Sequence, residues 1–410
     1  MTNTAGKRLI KFNDTTARDG EQAPGISFSV EDKVALAHKL SRMGFDGMEV
    51  SFPASSPQAF EACKRVAMEV GHSMEGREHI GRPMVISALC RTLDSDIELA
   101  YEALKYAKHF RFDLFIATSD LHLEHKLGIS REECLNRLRM GIRKARSYTP
   151  IVGFGAEDSS RTDLDFLVEV YSMAIEEGCH VLFFADTVGA CTPEQIYDIM
   201  KHLIDNTPYD PETIWGIHAH NDLGLAVANT LAAIRAGATY VDGTMVGIGE
   251  RTGNAPTEEV AMCLTMHGDH YNVYHQLDIS MITEVCELVI ESSGFQMAWN
   301  KPLIGRNAFR HTSGVHQRGL LKNRATYEFV HPEDIGRTSD FLILSKHSGR
   351  RALQMRLEQL GFRDLSEEQL QVLFQAFKTV ADTKIEVSDQ DLKQLMCDRP
   401  KPAESLVAST

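Results

Sequence analysis

The segment His218-Ala219-His220-Asn221-Asp222 follows the β-rich run "TIWGI", and in an extended strand residues two apart point to the same side. His218 and His220 can therefore offer two imidazole nitrogens to one ion, with a carboxylate from another strand completing a facial triad. Two nitrogens, one oxygen and open positions suit a divalent cation such as Mg²⁺, Mn²⁺ or Zn²⁺ acting as a Lewis acid. An Arg18-Asp19 pair sits where the first apolar run stops, in "FNDTTARDGEQAPG". Polar side chains crowd the ends of other runs too: Glu49 and Ser51, Arg91, Glu157 and Asp158, Asp186 and Thr187, and "GIGERTGN" at 247–254.

Something must hold these ends together. Eight β-rich runs recur about every 30 residues, each followed by a stretch of helical period. They fall at 8–15, 44–51, 83–91, 111–119, 150–158, 180–189, 213–222 and 239–247. Helix starts are marked between them, by Ser29 and Glu31 in one case and by Thr192 before Pro193 in another. This alternation predicts an α/β protein with a closed (β/α)₈ barrel, whose active site lies at the carboxyl ends of the strands. The rhythm breaks near residue 268. The reading is a catalytic barrel over 1–267, mainly helical subdomains over 268–396, and a disordered tail over 397–410.

The chain has 410 residues and a formal net charge of -14, which argues against nucleic acid or an anionic membrane as partner. No apolar window approaches a membrane span and the N-terminus lacks a signal-peptide core, so a cytoplasmic protein is expected. Its eight cysteines contain no CxxC pair and read as reduced thiols. "HLEHK" at 122–126 lacks the spacing of an inverted zinc-protease motif and reads as the start of a surface helix. "GIGERTG" follows the last run rather than the first, so it is no dinucleotide fingerprint.

Beyond these single motifs, an ordered series resembles the 2-isopropylmalate synthase and homocitrate synthase group of metal-dependent Claisen-condensing enzymes. The series is "DTTARDGEQ", "EVSFPASSP", "GAEDSSRTD", "ADTVG", "HAHNDLG", "GIGERTGNAPTEE", "HTSGVHQRGLLKNRATYE" and "LSKHSGR". The likeness runs over about residues 8–396 and is nearest to a short 2-isopropylmalate synthase without the leucine-binding regulatory domain, for which leucine inhibition is expected to be weak. It implies a (β/α)₈ barrel followed by small helical subdomains, and a homodimer in which subdomains reach the neighbouring barrel.

The resemblance further implies a divalent metal on Asp19, His218 and His220, with Asn254 as a further or water-linked ligand. Arg18 would stabilise charge on the carbonyl oxygen, and Thr187 would hold the carboxylate of a 2-oxo acid that condenses with acetyl-CoA. Glu157, Glu250, His316 and Tyr327 fall on positions tied to proton transfer, with the base among them left open.

Isopropylmalate synthases tend to read SPED and NIPDTVG where this chain has "GAED" and "FFADTVG". Alternation turns Gly155, Phe183 and Ala185 toward the interior, where they give a roomier and more apolar wall. The expected substrate is a 2-oxo acid with an apolar side chain, 2-oxoisovalerate or a larger one such as phenylpyruvate giving benzylmalate. The alternatives are a homocitrate synthase acting on 2-oxoglutarate and a 3-hydroxy-3-methylglutaryl-CoA lyase. The lyase family carries a cysteine in the loop after strand eight, and "GIGERTGN" has none. Ala17, Ser51 and Thr312 depart from the common Leu, Gly and Glu.

Overall fold

The computed structural model describes residues 5–338 and 342–398. Eight parallel strands close into a barrel. They are β1 (Lys11–Asp14), β2 (Gly47–Glu49), β3 (Val85–Arg91), β4 (Phe110–Ala117), β5 (Val152–Glu157), β6 (Val181–Asp186), β7 (Ile214–Ala219) and β8 (Tyr240–Gly243). Seven lie within the runs read from the sequence, and β4 begins one residue before its run. β1 pairs with β8 through Lys11↔Tyr240 and Asn13↔Asp242, which closes the ring. The first run divides: Arg8–Leu9 leaves the barrel and pairs in parallel with Val273–Tyr274.

Helices cover the strands, and their starts obey the local signals. Ser29 caps the helix Val30–Met43 and forms a capping box with Asp32, and Thr192 does the same with Gln195 ahead of Pro193. Strand residues facing these helices, among them Phe12, Phe112, Phe154 and Phe184, are fully buried. Their neighbours one residue away face the barrel axis, so each strand feeds both a shell of core and an interior of functional groups.

The chain divides into two compact units, 1–296 and 297–410. The first unit continues past 267/268, where the rhythm of strand and helix is lost. The helix Thr257–Tyr271 runs through that point, Val273–Tyr274 returns to the strand at Arg8–Leu9, and Ile282–Ser293 packs on Val30–Met43. In the second unit the helices Arg350–Gln359, Glu367–Thr383 and Asp389–Cys397 surround a core of Leu353, Leu357, Leu370, Phe377 and Leu392. The last helix ends at Cys397, and of the tail expected over 397–410 the residues 399–410 lie outside the described residues. Among the described residues no helix is long and apolar enough to cross a membrane, and no disulfide joins the eight cysteines.

Candidate active site

The turn that follows β1 delivers the first site residues. Thr15 accepts the amides of Arg18 and Asp19 through its carbonyl, which folds the pair back over the barrel mouth. His218 lies at the end of β7, and His220, just beyond it, bridges to Asn254 in the loop after β8. The result is a convergent donor set. His218 Nε2 and His220 Nε2 are 3.2 Å apart, and Asp19 Oδ2 lies 3.8 and 3.9 Å from them.

The electrostatics keep Asp19 ionised and His220 neutral, the forms in which each can ligate. Burial opposes the Asp19 charge, yet Arg18 and the two imidazoles outweigh it and hold the carboxyl down at about 2. Burial and the neighbouring His218 push His220 down to about 3, leaving a neutral ring with a lone pair. His218 is raised despite its burial because Asp242 Oδ2 lies 2.7 Å from its Nδ1. That partner fixes a proton on Nδ1 and turns Nε2 toward the set. Asp242 in turn accepts Asn13 Nδ2 at 2.7 Å, and Asn13 Oδ1 accepts Arg111 Nη2 at 3.1 Å. Arg111 closes the chain with a two-pronged bond to Asp113.

These donors fit a divalent cation. Asn254 stands outside the converging nitrogens and oxygen: its Nδ2 donates to Asp19 Oδ2 at 2.5 Å. Its Oδ1 is buried with no hydrogen-bond partner among the described residues, as a carbonyl oxygen awaiting a cation or a bound water would be. Arg18 spans Glu49 at 2.5 Å and Asp19 at 2.8 Å. Burial works against the guanidinium charge, but the two carboxylates outweigh it and raise its titration.

Arg18, Asp19, Gly155, Glu157, Phe183, Ala185, Thr187, His218, His220 and Glu250 line one cavity of about 340 Å³, a size suited to a small metabolite. Leu89, Leu114, Phe115 and Phe52 share it. Gly155 leaves room, since a Cβ there would only touch Phe183 Cβ at 3.8 Å. The Phe183 ring lies over Gly216, stacks on Tyr240 at 5.5 Å and carries the Arg111 guanidinium 5.6 Å from its centre. It makes an apolar floor rather than a projection into the cavity. His316 and Tyr327 belong to the second unit, where their rings stand 4.3 Å apart.

Lys126 is a lining residue that the motif reading of "HLEHK" does not reach. A π-type turn over Leu123–Leu127 swings its Nζ to 2.5 Å from Glu157 Oε1. Asp242 and Asn13 also escape the sequence reading, although an acid inside the apolar run "TYVDGTMVG" is a signal for the first.

Comparison with known proteins gives concordant results. The family description HMGL-like matches residues 9–289, and homocitrate synthase post-HMGL domain-like matches 303–385. A 2-isopropylmalate synthase of Pelotomaculum thermopropionicum is 43% identical over 93% of this chain and 74% of its own, and one of Pyrococcus furiosus is 44% identical over 95% and 76%. A shorter relative, 2-isopropylmalate synthase 1 of Caldanaerobacter subterraneus subsp. tengcongensis, is 42% identical over 94% of each chain. Among solved structures, the HMG-CoA lyase of Bacillus subtilis superposes with a TM-score of 0.59 at 22% identity, covering 73% of this chain and 97% of its own. That likeness speaks for the barrel alone.

Proposed function

The chain belongs to the HMGL-like family, within its 2-isopropylmalate synthase group of acyltransferases, and on that footing we propose that it condenses acetyl-CoA with a 2-oxo acid whose side chain is apolar. In this reaction the acetyl methyl loses a proton and bonds to the 2-oxo carbon, and water then cleaves the thioester to release a 2-substituted malate and coenzyme A. Asp19, His218 and His220 would hold a divalent cation, which would supply Lewis acidity to the condensation.

The chain's own groups do the rest. Arg18, fixed by Glu49 and Asp19, faces the cavity with a permanent charge that stabilises negative charge growing on the carbonyl oxygen. Thr187 offers its hydroxyl to the substrate carboxylate. Proton transfer from the methyl group falls to the set Glu157, Glu250, His316 and Tyr327. Within it, Glu157 is held by Lys126 while Glu250 is exposed at the rim.

The observation that carries the substrate class is the charge of the lining. Six acidic side chains face the cavity, Asp19, Glu49, Asp113, Glu157, Asp242 and Glu250, of which burial pushes Glu49 up to about 7. The arginine and lysine of the lining, Arg18 and Lys126, are both already paired with acidic side chains. A second substrate carboxylate, as in 2-oxoglutarate, would enter this field without a partner, at a cost that an apolar group avoids. Gly155, Phe183 and Ala185, with Leu89 and Phe115, instead accept a branched or aromatic side chain such as those of 2-oxoisovalerate and phenylpyruvate.

The test is coenzyme A thiol release with acetyl-CoA and each of 2-oxoisovalerate, phenylpyruvate and 2-oxoglutarate, with and without a chelator. Chelator-sensitive turnover of one or both apolar acids is expected. A clear preference for 2-oxoglutarate overturns the apolar pocket, and no turnover of any acid overturns the synthase.

A further inference from the structure

We propose that Asp158 and Arg251 form a two-sided clamp that aims the Thr187 hydroxyl, which makes both of them positioning residues for the substrate carboxylate. The inference rests on the reading above that Thr187 holds that carboxylate.

Both residues have left-handed backbones, with φ of 65° at Asp158 and 57° at Arg251. Most side chains other than glycine's cost about 1–2 kcal/mol there, with Asp and Asn better tolerated, so at Arg251 above all the surroundings must impose the conformation. Strong side-chain bonds do so in each case. Asp158 is fully buried and accepts Ser119 Oγ at 2.5 Å and Arg161 Nε at 2.8 Å. Arg251 grips Asp222 with two nitrogens, at 2.8 and 3.0 Å. Asp222 itself is wedged beneath the turn after β6: a Cβ on Gly189, whose φ is 58°, would lie 2.6 Å from its Oδ2.

Both strained residues then reach the same target. The Asp158 amide donates to Thr187 Oγ1 at 2.9 Å, and Arg251 Nη2 donates to the Thr187 carbonyl at 2.7 Å. The first bond has a chemical consequence. A threonine hydroxyl has one proton and two lone pairs, so an amide occupying a lone pair leaves the proton to be given elsewhere. Thr187 lines the cavity, and its free donor direction there suits a carboxylate oxygen. The second bond fixes the backbone that carries the hydroxyl. The ends of β5 and β6 and the loop after β8 are thus locked around one donor.

The test compares Thr187→Val, Asp158→Ala, Asp158→Asn, Arg251→Ala and Arg251→Lys in steady state, with Mn²⁺ affinity and thermal melting measured on each. Asp158→Ala and Arg251→Ala are expected to raise KM for the 2-oxo acid about tenfold, while KM for acetyl-CoA and Mn²⁺ affinity stay at the wild-type values. Asp158→Asn is expected to recover much of its loss, because asparagine tolerates the left-handed backbone. Arg251→Lys, which keeps the charge without the fork, stays impaired and serves if the alanine variant fails to fold.

Thr187→Val separates the two levels of the argument. If it raises the oxo-acid KM while the Asp158 and Arg251 variants leave it unchanged, the clamp is overturned and the role of Thr187 stands. If Thr187→Val itself leaves that KM unchanged, the reading of Thr187 falls and the clamp falls with it. Equal losses toward both substrates, or lost Mn²⁺ affinity, mean a loop that merely holds the fold together, which also overturns the proposal.

Discussion

Replacing Asp242 by asparagine removes one acceptor oxygen and one charge, and the structure dictates that the buried chain around it cannot adapt. Asp242 accepts on both sides: Oδ1 from Asn13 and Oδ2 from the His218 ring, each at 2.7 Å. An asparagine has a single acceptor oxygen. If that oxygen faces His218, its NH₂ meets the NH₂ of Asn13, and Asn13 cannot turn over because Arg111 needs its oxygen. That leaves a buried donor unsatisfied, at about 1–3 kcal/mol. If instead the NH₂ faces His218, the ring must move its proton to Nε2, the atom that a cation needs. Loss of such a supporting partner costs about 10–100-fold in metal affinity. The variant must take one penalty or the other.

Calorimetric titration with Mn²⁺ at fixed pH, paired with denaturant unfolding, reads both. The double variant Asn13→Asp with Asp242→Asn restores complementarity, since the new carboxylate at position 13 accepts from both the introduced amide and Arg111, and it is expected to recover most of the loss. An Asp242→Asn protein with wild-type Mn²⁺ affinity and wild-type stability would refute the argument.

Two further outcomes follow from the barrel interior. In Gly216→Ala the new Cβ would meet Phe183 ring carbons at 2.7 and 2.8 Å, and the ring is hemmed in by Tyr240 and Arg111. A loss of about 1–3 kcal/mol is expected in denaturant unfolding, smaller in a Phe183→Leu background, and equal losses in both backgrounds would contradict the packing. Asp14 is buried beside Thr16, and burial pushes its carboxyl up to about 7 from an ordinary 3.8. The folded state therefore keeps a proton that the unfolded chain releases, so stability falls as pH rises from about 4 to about 7. Roughly three units at about 1.4 kcal/mol each set the limit near 4 kcal/mol. Asp14→Asn should show a flatter unfolding profile between pH 5 and pH 8 than the wild type, and parallel profiles would rule Asp14 out.

The barrel is legible because alternation of strand and helix is a local signal repeated eight times. Strand ends are less so: the run 44–51 contracts to Gly47–Glu49, since partner registers set where pairing stops. His218 and His220 can be read together because period two puts both on one side. Their carboxylate cannot be chosen that way, as Asp19 sits on a turn whose direction depends on the closed barrel. The Asp242 relay is invisible for the same reason, with partners 24 and 229 positions away in sequence. Lys126 escapes because "HLEHK" scans as solvated helix, whereas the π-type turn sends its amine back to Glu157. Alternation correctly turns Phe183 inward, but only the missing Cβ of Gly216 explains why its ring lies flat.

That flat ring connects two parts of the interior that otherwise separate. The donors for a cation stand on β7 and on the turn after β1, while the residues that size the substrate stand on β3 to β6. Register brings Gly155, Phe183, Gly216 and Tyr240 into one row across β5 to β8. Arg111 lies over that row, touching Phe183 and Tyr240 on one side and Asn13 on the other. Gly155 belongs to the sizing wall, pairs with Phe115 and Phe183 rather than with a ligand, and stands apart from the hydrogen bonds that join Asn13, Asp242 and His218, so a different side chain there reshapes the cavity and leaves the cation ligands in place, whereas Ala185 lies opposite His218 in register. Phe183 is different in kind: its ring supports Arg111, and through it the oxygen of Asn13 on which the tautomer of His218 depends. Substrate range and cation affinity are therefore separable at Gly155 and coupled at Phe183 and Ala185.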